Sequence, residues 1–165
     1  MANRVYSTIQ LNKCNHTAQN RFIEIFDELE SIKETGLEYL DIYPTNQEVV
    51  DVDFMEEFIG PRIAKVSEYM GTEVIISSHW ISPNRFFEIL CEELREWDED
   101  LVASMTYEDE FYIFAGCYVY KDGLMDHREE SGGWFKKELD NSGGDPSDFQ
   151  DYVSDKVAVW VEELC

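Results

Sequence analysis

The sequence predicts an α+β protein, with an antiparallel-rich sheet built on a split βαβ pattern, an extra strand and an added C-terminal helix. Three observations lead there. Apolar spacing switches between periods of two and about 3.6 in the order β-α-β-β-α-β-β-α. Consecutive strand-like runs are separated by short, turn-forming segments, as hairpins require. The chain has 165 residues, of which 44% are hydrophobic and 14% aromatic, enough to form a core without metal or disulfide staples.

Residues 5–11, VYSTIQL, alternate as a half-buried strand does. Asn15 or Thr17 is positioned to cap the next helix, whose Phe22, Ile25, Phe26, Leu29 and Ile32 make one apolar stripe. A short strand is expected at residues 39–42 within an otherwise irregular stretch. Residues 63–69 and 73–80 read as two strands joined at Met70-Gly71-Thr72. Ser82 is expected to cap a second helix with Pro83 at its first position, and Phe86, Phe87, Leu90, Leu94 and Trp97 are expected on its buried side.

Residues 101–107 and 111–121 follow as strands, and Lys121-Asp122-Gly123 as a turn. In the strand FYIFAGCYVY both faces are apolar, which predicts a central strand covered on both sides. The first two helices would cover one face. The terminal helix, started by Asp145-Pro146 and striped with Phe149, Tyr152, Val153, Val157, Trp160, Val161 and Leu164, would cover the other. If it does not, that stripe is expected to mediate a homodimer through the Trp160 helix. The implied organisation is an α+β domain over residues 1–130, a Gly-rich linker over 131–144, and an amphipathic helix over 145–165.

MANRV opening a strand, GPRIAKVSEY, ISSHWISPNRFFEIL and FAGCYVYKDG resemble the ferredoxin-like domain family named after the plasmid protein YubB. The resemblance covers about residues 1–125 and leaves the terminal helix outside. It implies a ferredoxin-like fold and an origin on phages or plasmids. The family's function is largely undefined, and it has no catalytic residues to carry over.

Charge sets this chain apart. Thirty-six acidic residues face thirteen basic ones, for a net charge of −23. Direct nucleic-acid binding needs a positive stripe to neutralise phosphates, and anionic membranes need the same, so neither is expected. No run of about 18 apolar residues is present, and MANRVYSTIQ does not read as a secretory signal. Cys14, Cys91, Cys117 and Cys165 are widely spaced, which suits free thiols in a reducing cytoplasm.

Motifs for catalysis are missing. The histidines His16, His79 and His127 lack zinc-ligand spacing. The run DNSGGDPSDFQD begins like a calcium loop but has Asp145 where glycine belongs, and Asp145-Pro146 is better explained as a helix start. No GxSxG elbow or phosphate-cradling loop occurs. The expectation is therefore a protein that is not an enzyme and uses no cofactor or metal. The enzymatic alternative is a small-ligand or metal-dependent pocket near His79 and Trp80; the simpler account makes Trp80 a staple of the helix start.

The acids are clustered. Residues 92–110 carry nine acidic and one basic residue, residues 138–163 eight and one, and residues 24–41 seven and one. Glu88, Glu92 and Glu96 lie four apart on one helix face, where like charges cost roughly 0.2–0.5 kcal/mol per pair. Glu99 and Asp100 sit at the end where the helix dipole prefers cations. A locally unfavourable arrangement of this kind marks a candidate functional surface. Plain acidic solubility is the rival explanation. Halophilic adaptation fits poorly with ten Phe, nine Tyr and four Trp.

The reading that follows is an anti-defence protein resembling a DNA mimic. It would bind and inhibit a basic DNA- or RNA-binding host protein, such as a CRISPR effector or restriction enzyme. The expected contact residues are Glu88, Glu92, Glu96, Asp98, Glu99, Asp100, Glu108, Asp109 and Glu110, which would pair with lysines and arginines that otherwise hold phosphates.

Overall fold

Strand β1 (Arg4–Lys13) is the axis of the molecule, with buried Val5, Ile9 and Leu11 on one face and Tyr6, Thr8 and Gln10 on the other. The computed structural model of the chain describes residues 4–34, 63–70, 72–79 and 82–165. Within them β1 is followed by α1 (His16–Glu34), β2 (Ile63–Met70), β3 (Glu73–His79), α2 (Asn84–Arg95), β4 (Val102–Asp109), β5 (Phe114–Lys121), β6 (Leu124–Ser131), α3 (Gly132–Asn141) and α4 (Phe149–Leu164).

The fold is α+β. Six strands form one sheet in the order β2-β3-β1-β4-β5-β6, and every neighbouring pair is antiparallel. The first four strands, with β1 between β3 and β4, have the order of two interleaved βαβ units. Strands β5 and β6 extend that sheet as a meander. Asp122 and Gly123, both at positive φ, make the two-residue hairpin between them, as Asp-Gly favours.

The two faces are covered by different helix pairs. On the first face Val5, Ile9, Leu11, Val74, Ile76, Ala103, Met105, Tyr118 and Tyr120 pack against Phe22, Ile25 and Phe26 of α1 and Phe86, Phe87, Leu90, Cys91 and Leu94 of α2. On the second, Ala115 and Cys117 of β5 pack against Phe135 of α3 and Val153, Val157 and Trp160 of α4. Strand β5 is therefore covered on both sides, and the Trp160 stripe is used inside the chain. Trp160 is only 4% exposed, packed inside the chain.

Several expectations are corrected. Residues 131–144 are not a linker: Ser131 Oγ accepts from Trp134 N and starts α3, whose Phe135 and Leu139 are buried. Strand β6 was not anticipated, and β5 begins at Phe114 rather than Phe111 because Tyr112, at φ 54°, turns the chain there. Ser82 does not cap α2; Pro83 holds the cap position with no side-chain bond, and Ser82 is buried against Tyr118. Trp97 is not core, being 50% exposed beyond the end of α2. Asn15 does cap α1, accepting from Ala18 N at 2.8 Å. Asp145 Oδ1 accepts from Ser147 N ahead of the single turn 146–148 that leads into α4. The strand expected at 39–42, Gly71 of the first hairpin and Trp80 lie outside the described residues.

Candidate functional site

Helix α2 buries Phe86, Phe87, Leu90, Cys91 and Leu94, and this fixes where its acids point. Glu88, Glu92 and Glu96 fall on the other side; Glu88 is half-buried, and Glu92 and Glu96 are exposed. The helix ends at Arg95 and unwinds through short turns, with Trp97 N donating to Leu94 O and Leu101 N to Asp98 O. That turn leaves Glu99 and Asp100 in solvent beside Glu96.

Arg95, the one cation of this stretch, reaches toward β5. It hydrogen-bonds Tyr120 and rests over the β5–β6 turn, where a methyl group on Gly123 would fall 2.5 Å from its Nη1. Glu92, Arg95, Glu96, Glu99 and Tyr120 line a shallow cleft of about 300 Å³. Trp97, between Glu96 and Asp98 in the chain, is half-exposed.

Other acids in the run hold the fold together. Asp98 Oδ2 accepts from Asn15 N at 2.6 Å and its Oδ1 from Asp100 N at 3.1 Å, while Asn15 Nδ2 donates to Trp97 O at 2.8 Å. Those bonds tie the end of α2 to the start of α1. Glu93 pairs with Arg21 at 2.6 Å, both largely buried, and Glu88 with Arg85 at 2.5 Å.

The remaining three candidates lie elsewhere. Glu108, Asp109 and Glu110 are at the far end of β4, roughly 25 Å from Asp100 at about 3.3 Å per residue. Asp109 is fully buried and caps the turn into β5, accepting from Phe111 N at 2.9 Å. Glu110 Oε1 accepts from Arg4 N at 3.0 Å. The nine expected contact residues therefore divide into two groups at opposite ends of β4. Of the nine, Glu92, Glu96, Glu99 and Asp100 are exposed, and the first three line one cleft.

Sequence reasoning also missed a polar cluster across β4, β5 and β6. Tyr107 Oη lies 2.6 Å from both His127 Nε2 and Glu129 Oε2, and the His127 ring stacks on Tyr118 at 4.0 Å. Its signal is Gly116: a Cβ there would fall 2.6 Å from Tyr107 Oη, so glycine lets the ring cross β5.

Burial pushes the Cys91 thiol well above its ordinary value and the Cys117 thiol up to about 11, so neither suits a nucleophile. Among the described residues no group of His, Cys, Asp and Glu is arranged to hold a metal ion, and no helix is long and apolar enough to cross a membrane. Trp80, of the pocket expected near His79 and Trp80, and part of the acidic segment 24–41 lie outside the described residues. The chain matches no known protein-family model, no characterised protein and no solved structure.

Proposed function

We propose that the chain is a binding protein of phage or plasmid origin that acts in the host cytoplasm on a basic nucleic-acid-handling protein, such as a CRISPR effector or restriction enzyme. Its contact surface is Glu92, Glu96, Trp97, Glu99 and Asp100. The carrying observation is Trp97, half-exposed just past the end of α2 in an acidic run whose Glu92, Glu96 and Glu99 line one cleft. An exposed aromatic in an acidic run suits a surface of arginines and lysines, by cation–π contact and ion pairing. The distance to Glu108 favours a compact acidic patch docking on one basic surface over an extended imitation of a phosphate track.

The test is inhibition of DNA cleavage by a panel of restriction endonucleases and CRISPR effector nucleases. Wild type is expected to inhibit at least one of them, and more weakly as salt rises. Glu92→Lys/Glu96→Lys/Glu99→Lys is expected to melt like wild type and to lose inhibition at least tenfold. A folded triple variant that inhibits as strongly as wild type would overturn the reading.

A further inference from the structure

The second face of the sheet holds a site unrelated to the acidic end of α2. Register sets Tyr6 of β1 directly opposite Glu108 of β4, and Thr8 opposite Thr106, all four on one face. Ser154, Val157 and Ala158 of α4 form the facing wall, at the i, i+3 and i+4 spacing of one helical side. Between them is a cleft of about 240 Å³. We propose that this cleft binds a guanidinium group, with the Glu108 carboxylate as its counter-ion.

Glu108 is half-buried, and the Tyr112 hydroxyl donates to its Oε1 at 3.5 Å. Among the described residues no lysine or arginine pairs with it. Arg4 lies on the same strand face one pair further along, yet forms no ion pair with Glu108. A carboxylate taken partly out of water needs a cation or several donors to offset the loss. Burial holds the Glu108 carboxyl above its usual range, as expected for a group awaiting its partner.

The rest of the lining selects the kind of cation. A guanidinium carries five N–H donors and no acceptor, so it needs oxygen atoms from several directions. Glu108, Thr8, Thr106, Ser154 and Tyr6, all lining the cleft, each carry such an oxygen. A planar cation also stacks on an aromatic face, and the Tyr6 ring is 40% exposed beside the carboxylate. An ammonium would leave most of these oxygens unused. The group can come from a free small molecule or from the arginine of a peptide.

Calorimetric titration of the full chain at physiological salt separates the outcomes. The probes are agmatine, N-acetyl-arginine amide and the uncharged isostere N-acetyl-citrulline amide. Both guanidinium probes are expected to saturate in the millimolar range or tighter, and citrulline amide at least tenfold more weakly. Glu108→Gln is expected to lose at least tenfold, as is Ala158→Leu, which fills the cleft from α4. Glu162→Gln, which removes one charge elsewhere on α4, is expected to bind like wild type. Tighter agmatine assigns the site to a small molecule, and tighter arginine amide to a peptide. No saturation with either probe, equal binding of the citrulline amide, or unaltered binding by a folded Glu108→Gln overturns the proposal.

Discussion

Tyr107 and His127 sit on strands that are not neighbours, yet Tyr107 Oη and His127 Nε2 are 2.6 Å apart because the phenol passes over Gly116 on the strand between them. The same hydroxyl donates to Glu129 at 2.6 Å. With its only proton directed there, Tyr107 accepts from His127, which fixes the Nε2–H tautomer of the ring. Tyr107→Phe is expected to lower stability by about 1–2 kcal/mol. Gly116→Ala is expected to lose more, about 2–3 kcal/mol, because the added carbon would also collide with Arg128 O. Urea unfolding of both variants checks the order; a neutral Gly116→Ala would contradict the packing.

The same cluster sets a pH dependence. Burial lowers the His127 pKa, with Glu129 opposing, and Tyr107, Tyr118 and Glu129 are the groups facing it. The unfolded chain then takes up the proton more readily than the folded one. Stability is full above the unfolded value of about 6.5 and falls as pH drops through it toward the lower folded value. Chemical unfolding from pH 8 to 5 is expected to show a loss that His127→Gln lacks.

Within one acidic stretch, Asp98 and Glu96 should respond in opposite ways. Asp98→Ala removes the acceptor for Asn15 N and is expected to lose about 1–2 kcal/mol. Glu96→Gln removes a like charge four residues from Glu92 and is expected to gain a few tenths of a kcal/mol. Equal effects in thermal melts would mean that charge repulsion, not the tie between helices, dominates this end of the molecule.

Trp97→Ala and Trp160→Ala make a second contrasting pair. Trp97 is half-exposed, so its removal is expected to alter stability by less than about 0.5 kcal/mol while weakening partner binding at least tenfold. Trp160 packs on Trp134 and Phe135 with centroids 5.7 and 5.6 Å away, under the Arg128 guanidinium, and its removal is expected to lose about 3–5 kcal/mol. Truncation after Gly144 would expose Ala115 and Cys117, and light scattering is expected to show aggregation rather than a monomeric core.

Legibility in the sequence followed how one-sided each element is. Strands β1 and β4 and helices α1, α2 and α4 announce themselves because each buries a regular stripe, and β5, covered on both faces, shows instead as a continuous apolar run. Strand β6, LMDHREES, is exposed along most of its length, so no alternation betrays it. Helix α3 is short and framed by Gly132-Gly133 and Gly143-Gly144, which read as a linker; its real signal was Ser131 three residues before Trp134, with Phe135 and Leu139 one turn apart. At the candidate site the spacing on α2 set Glu92 and Glu96 apart from Leu90 and Leu94, but it also placed the exposed Trp97 in the core. Composition alone does not distinguish Asp98 and Asp109, which anchor backbone amides, from Glu92 and Glu96, which face solvent.

The exposure that hid β6 has a consequence for aggregation. FAGCYVY on β5 is the kind of short, uncharged, β-prone run that adds strands from other molecules when it lies on an edge. Here its free side is occupied by a strand carrying Asp126, His127, Arg128, Glu129 and Glu130, so the sheet ends in a charged border that repels another copy. Strand β6 therefore works as a gatekeeper: it completes the sheet while denying it further growth, and with its charges neutralised the chain would be expected to seed fibrils from that edge.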